Sequence, residues 1–423
     1  MIAVALAAGC RVGFEPLAGD GALADDAGAA PPPTVTLRIE PLGSGAGVVH
    51  LDGGPACALP CTTTLTVATP HVVTASAAPG AWFEGWAGAG CGGRGACALE
   101  VSADVTLIAR FQPEPNRVFV SSVPTTGALG GLAGADAFCQ GLATAAGLTG
   151  TFEALLHDGV STGMARLDGG RGFIGIDGAV VFDLPVDRVR APIRVDETGA
   201  VRVATRYWAP TDSTTSNRCA GWTSASASDV GRVQDTDRGH AYESGGGEVS
   251  CDTPSHLLCA QHERIVPVAP TPTPGRLAFV TSNAFTPGGG RAAADALCAS
   301  EASTAGWTGA VVAFLSTSTE AGTARLRVGL PWVRPDGQVL APTIAELTAA
   351  FTAAPVQTAA GADLQYGTIL LGDAALGTLT STCQDWASTG GVAMVSTGAT
   401  WVTSQTTANV ACSTAFALLC LAP

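Results

Sequence analysis

Cysteine has the widest chemistry of any residue type in this chain: it can attack as a thiolate, ligate a metal or close a disulfide. There are 13 in 423 residues. They fall as Cys10 alone, then Cys57, Cys61, Cys91 and Cys97, then Cys139, Cys219, Cys251 and Cys259, then Cys298, Cys383, Cys412 and Cys420. One cysteine followed by three even sets suits an oxidising compartment in which the twelve are paired. Zinc is the competing chemistry for Cys57-x3-Cys61 and Cys91-x5-Cys97. That spacing fits no common zinc knuckle, and an exported chain disfavours free thiolates.

Other residues match enzyme motifs by letter only. Gly159-Val160-Ser161-Thr162-Gly163 fits Gly-x-Ser-x-Gly, but a nucleophile elbow must lie between a strand and a helix to expose its serine. A polar turn surrounds it here. Gly88-Ala89-Gly90-Cys91-Gly92-Gly93 fits the dinucleotide fingerprint without the strand-then-helix context that gives it meaning. His240 with Asp237 and Glu243 is the one titratable cluster that could serve an enzyme.

The elements that must position these residues follow from composition and pattern. The chain is 47% apolar and 13% charged, enough to bury sizeable cores. No stretch approaches the roughly 20 apolar residues of a membrane-spanning helix, so an integral membrane protein is not expected. A net charge of −14 argues against a nucleic-acid partner. Residues 11–33, rich in Ala, Gly, Asp and Pro, form a flexible acidic tether. Residues 34–112 alternate apolar and polar in short runs such as Val35–Ile39, Val72–Ala75 and Val105–Phe111, which predicts a small all-β module.

The remainder is a duplication, 117–262 on 276–423. Phe119-Val120-Ser121-Ser122 matches Phe279-Val280-Thr281-Ser282, and Ala135-Asp136-Ala137-Phe138-Cys139 matches Ala294-Asp295-Ala296-Leu297-Cys298. Ala146-Gly147-Leu148-Thr149-Gly150 matches Ala305-Gly306-Trp307-Thr308-Gly309, and Ala165-Arg166-Leu167 matches Ala324-Arg325-Leu326. Cys219-Ala220-Gly221-Trp222 matches Cys383-Gln384-Asp385-Trp386, and Cys251-x7-Cys259 matches Cys412-x7-Cys420. None of the six histidines recurs between the copies, which excludes a repeated triad. Residues 263–275 read as a semi-rigid Pro-rich linker. Each copy opens with an apolar strand, then an Ala-rich helix (roughly 131–146 and 291–304), then a long loop-rich stretch and a closing strand. That order predicts an α+β class.

Three resemblances add expectations. Ile2–Gly9 before Cys10 resembles a bacterial lipoprotein signal, so residues 1–10 are expected to end in a lipidated Cys10. Gly80-Ala81-Trp82-Phe83-Glu84-Gly85-Trp86 with its downstream cysteines resembles the divergent internalin-B-type repeat of bacterial surface proteins. That likeness implies a spacer with Trp82, Phe83 and Trp86 in its core and two local bonds, Cys57–Cys61 and Cys91–Cys97. Phe-Val-(Ser/Thr)-Ser, Ala-Asp-Ala-x-Cys, Ala-Gly-x-Thr-Gly and Cys-x-x-Trp resemble a bacterial lipoprotein domain family of unknown function with a C-type lectin-like or endostatin-like fold. It implies the pairs Cys139–Cys259, Cys219–Cys251, Cys298–Cys420 and Cys383–Cys412, and two tandem disulfide-linked lectin-like domains.

C-type lectins hold calcium with Glu-Pro-Asn or Gln-Pro-Asp and Trp-Asn-Asp. Glu114-Pro115-Asn116 spells the first but precedes the duplicated part, and no Trp-Asn-Asp occurs. Asp196, Glu197, Asp212, Asp229, Asp235 and Asp237 have few counterparts in the second copy and are expected as solvated loop charge. Asp235 and Asp237 are the calcium candidates; otherwise no cofactor is expected. Trp222 and Trp386 recur beside cysteines and are expected to pack on a disulfide. The non-recurring aromatics Tyr207, Trp208, Tyr242, Trp332, Tyr366 and Trp401 are the ligand-binding candidates, since such rings contribute contact area at little rotamer cost. The expectation is a non-catalytic surface lipoprotein of the bacterial envelope, outer-membrane anchored, that binds or adheres to glycan or protein. Its only membrane contact would be the lipid. The alternatives are an enzyme on a lectin-like scaffold and a purely structural envelope protein.

Overall fold

The computed structural model describes residues 32–423 apart from 158, 186–189, 204, 211–217, 237–246, 350, 365–368, 371–381 and 397–406. The architecture is α+β, dominated by small sheets with few helices and cross-linked by six disulfides. Among the described residues, no helix is long and apolar enough to cross a membrane.

The first eight strands are β1 Thr34–Leu42, β2 Gly47–Leu51, β3 Ala56–Ala58, β4 Cys61–Thr66, β5 His71–Ala77, β6 Ala81–Ala87, β7 Cys97–Leu99 and β8 Val105–Pro113. They form two four-stranded sheets, β4-β1-β8-β6 and β3-β2-β5-β7. Alternation decides which side chains go in: Leu37 and Ile39 of β1, and Leu107, Ala109 and Phe111 of β8, are buried with Phe83 and Trp86 in one core. Cys57–Cys61 ties β3 to β4, and so one sheet to the other. Trp82 departs from that core. It packs instead against Ile174, Val180 and Val268, outside the β-module.

The first repeat carries β9 Asn116–Val120, helix α1 Gly131–Ala145, β10 Glu153–Ala154, β11 Phe173–Gly175, β12 Val180–Phe182, β13 Arg206–Trp208, β14 Val230–Asp235, β15 Gly247–Ser250 and β16 Leu258–Ala260. Its main sheet runs β10-β16-β9-β11-β12, with β13-β14-β15 as a second sheet. The second repeat carries β17 Arg276–Val280, helix α2 Gly290–Thr304, β18 Val312–Ala313, β19 Trp332–Val333, β20 Val339–Ala341, the short helix α3 Ile344–Ala349, β21 Ile369–Leu370, β22 Val392–Ser396, β23 Thr407–Ala411 and β24 Ala417–Leu421. Its main sheet runs β18-β24-β17-β19-β20, the same order, with β21 also pairing with β24.

The helix seats the same way twice. Ala135, Cys139 and Ala143, and likewise Ala294, Cys298 and Ala302, recur every four residues as a buried stripe. Small side chains let the helix approach the sheet closely enough for Cys139 to reach Cys259 in β16 and Cys298 to reach Cys420 in β24. Cys259 lies opposite Phe119, and Cys420 opposite Phe279.

The stretch 263–275, read as a semi-rigid Pro-rich linker, packs in a seam between the β-module and both repeats. Gly93 donates to Pro272 O at 3.0 Å, Thr273 donates to Gly337 O at 2.9 Å, and the Val268 amide donates to Asp183 Oδ1 at 2.8 Å. Each bond satisfies a backbone group that prolines leave without a regular ladder. Arg94 reaches across the same seam, donating to Phe83 O and to Asp177 O, each at 3.0 Å, with its guanidinium 5.4 Å from the Trp82 ring centre. Burial lowers its pKa to about 10. Gly178 turns the β11–β12 hairpin at φ +77°, and a Cβ there would meet Arg94 Nη2 at 1.8 Å.

Candidate functional site

Three of the predicted ligand-binding aromatics are corrected by their burial. Tyr207 is 1% exposed, and Trp208 and Trp332 are 0% exposed. Tyr207 Oη donates to Gln234 Oε1 at 3.1 Å, Trp208 Nε1 to Thr125 O at 3.1 Å and Trp332 Nε1 to Ala422 O at 2.7 Å. Arg276 stacks 3.7 Å from the Trp332 ring centre. At the place of Trp332 the first repeat carries Phe173, at the start of the corresponding strand and also fully buried. Tyr242, Tyr366 and Trp401 lie outside the described residues, as do Cys10, Asp212, Asp237, His240 and Glu243.

The loop carboxylates also differ from expectation. Asp196 and Glu197 are buried rather than solvated. Asp196 Oδ1 accepts from the Thr198 and Ala200 amides at 2.9 and 3.0 Å, and Asp196 Oδ2 from Arg202 at 2.7 Å. Burial opposes ionisation of Asp196, yet the hydrogen bonds from Thr198, Arg202 and Ala200 outweigh it and hold its carboxyl below the ordinary range. Glu197 accepts from the Ser122 amide at 2.9 Å and from the Ser122 hydroxyl. Asp235 ends β14, opposite Arg206. Among the described residues, no group of three His, Cys, Asp or Glu side chains is placed to hold a metal. Glu114 and Asn116 serve the framework: Glu114 pairs with Arg117 and Arg264, and the buried Asn116 amide donates to Arg171 O and Arg264 O.

The recurring motifs acquire roles. Arg166 grips Asp136 through two bonds of 2.9 and 2.7 Å and donates to Ala154 O; Arg325 grips Asp295 at 3.0 and 2.7 Å and donates to Ala313 O. This fork ties the helix to the strand and 3-10 turn that follow. The Ser121 hydroxyl accepts from the Leu257 amide and the Thr281 hydroxyl from the Leu418 amide, each at 2.9 Å. Cys219, Ala220, Gly221 and Trp222 all have positive φ, as do Cys383, Gln384, Asp385 and Trp386. Each is a full left-handed turn, costing roughly 1–2 kcal/mol per non-glycine residue. Cys219–Cys251 and Cys383–Cys412 pin these turns. Trp222 Nε1 donates to His157 O and Trp386 Nε1 to Ser316 O, both at 2.8 Å, so both tryptophans are packing anchors.

Clefts open on the surface of the described residues, among them the following two. One, of about 200 Å³, belongs to the seam, between Arg94, Val180, Thr271 and Gln338. The other, of about 220 Å³, lies in the second repeat between α2 and the 357–363 hairpin. Glu301, Ser282, Ser300, Thr304 and Thr358 give it polar walls, and Leu297, Ala305, Ala359 and Ala360 an apolar floor. Trp307 stands beside it, 41% exposed, with Nε1 donating to Ala359 O at 2.8 Å. Sequence reasoning passes over Trp307 because it sits inside a recurring motif; the difference between Leu148 and Trp307 was the available signal. No family model matches the chain, and no curated protein matches it.

Proposed function

We propose that this is an exported surface lipoprotein in which a β spacer carries two C-type lectin-like units that bind an extracellular glycan or protein without catalysis. The carrying observation is that the two repeats share the Asp–Arg fork, the small-residue helix stripe, the left-handed turn and both disulfides while the hairpin and helix around the amide cap differ. A scaffold held constant beneath a varied surface is how rigid folds present recognition loops. The six disulfides join every cysteine among the described residues, which favours an oxidising compartment and leaves Cys10 for lipid attachment. Further support comes from the ionisable groups of the described repeats: Asp136, Asp196, Glu197, Asp295 and Asp385 all accept framework hydrogen bonds.

The test is a glycan and matrix-protein array probed with the whole oxidised chain, in calcium and in chelator. Hits in both conditions are expected. Hits only with calcium would restore Asp235 and Asp237 as ligands, and silence in both would favour a purely structural envelope protein.

A further inference from the structure

The cleft beside Trp307 has an equivalent position in the first repeat, where the hairpin carries the buried Glu197 in place of Ala359. The amides of Val120 and Val280 donate to Val195 O and Gln357 O, so Glu197 and Ala359 occupy the same place on corresponding hairpins. In the first repeat, Glu197 folds inward and caps the Ser122 amide. In the second, Ala359 is too short, and the helix supplies the cap. Glu301 accepts from the Ser282 amide at 2.7 Å and from the Asn283 amide and side-chain nitrogen at 2.8 Å each. Its counterpart on α1 is the apolar Leu142, which packs on the core. Moving the carboxylate from hairpin to helix leaves an open, polar hollow.

The chemistry of that hollow is specific. An ionised carboxylate offers about four acceptor positions, of which Glu301 uses three, leaving one on Oε2. The Ser282 and Ser300 hydroxyls make no hydrogen bond among the described residues. The other described tryptophans are 3% exposed or less, so Trp307 alone among them is open to solvent. Its Nε1 bond to Ala359 O fixes the plane of the ring. An amphipathic ring held next to the cleft through Ala359 O, one spare carboxylate acceptor and two free hydroxyls suit a ligand with an apolar C–H face and several hydroxyl edges. At about 220 Å³ the cleft falls below the roughly 300–1,000 Å³ of drug-sized pockets, which suits one ring rather than several.

Resting on the binding role proposed above, we propose that this cleft is a carbohydrate subsite that takes one pyranose ring, stacked on Trp307 with its hydroxyls on Glu301, Ser282 and Ser300. It is confined to the second repeat, so the two copies are unequal in recognition despite equal frameworks.

Saturation-transfer NMR on the full oxidised chain tests this, using the methyl glycosides of glucose, mannose, galactose and N-acetylglucosamine as probes. Transfer to the ring protons of at least one is expected. Trp307→Leu, which copies Leu148, should weaken it tenfold or more. The double variant Glu301→Leu with Ala359→Glu rebuilds the first repeat's arrangement, keeps the Ser282 amide capped, and should abolish transfer at an unchanged melting temperature. No transfer from any glycoside, or transfer unaltered in both variants, would overturn the proposal. Array binding that survives both variants sinks this cleft and keeps the broader binding role; array silence sinks both.

Discussion

In the first repeat the Ser122 amide is capped from the 195–201 hairpin by Glu197; in the second the Ser282 amide is capped from the helix by Glu301. Beneath this difference the Asp–Arg fork, the stripe of small helix residues, the left-handed turn and both disulfides are the same. The capped amide is therefore common to both repeats, while the element that supplies its acceptor is not. The amide is half-buried in the first repeat and exposed in the second, so its acceptor can move without stranding a fully buried donor. Where the acceptor moves, the surface above it changes shape.

The largest expected effect tests the shared framework. Cys139→Ser and Cys298→Ser each open a loop of about 120 residues, separations of 120 and 122 in sequence, and each should cost about 4–5 kcal/mol. Calorimetry should show matching losses; a large drop in only one repeat breaks the equivalence. Next, Asp136→Ala and Asp295→Ala leave half-buried arginines without their bidentate partner. Chemical denaturation should register about 1.5–3 kcal/mol for Asp295→Ala and less for Asp136→Ala, because Arg166 keeps Glu153 at 3.2 Å.

The smallest effect sharpens the contrast. Asp196 has Thr358 at its corresponding place, and Asp385 has Gly221. Burial works against ionisation of Asp385 too, but the hydrogen bonds from Ser318 and Thr382 prevail and hold its carboxyl below the ordinary range. A carboxyl depressed in the folded state stabilises above the unfolded pKa of about 3.9, and that stability is lost as pH falls through the lower folded value. Hydrogen exchange between pH 5 and 2 should therefore release the Ala200 amide in the first repeat and the Ser318 amide in the second. Release of the Ala362 amide, bonded to neutral Thr358, over the same range would contradict this.

Much of the framework was legible in the sequence because it was written twice. Asp136 and Arg166 lie 30 residues apart, yet both recur at Asp295 and Arg325, and recurrence marks residues that the fold itself requires. The same logic misled for Tyr207, Trp208 and Trp332. Their failure to recur suggested recognition, whereas cores tolerate different large side chains so long as total volume is kept. Trp82 lay within a β-module motif, but its burial comes from Val268, 186 positions later.

The sequence by itself determined the cysteine sets, the duplication, the alternating strands and the small-residue stripes, since each depends on local period or on repetition along the chain. Tertiary structure alone decided which aromatics face water, how the Pro-rich stretch docks, and where the cleft opens. Those outcomes depend on which distant groups satisfy one another's hydrogen bonds and volume, and no local pattern encodes the length of the side chain that arrives from the other side.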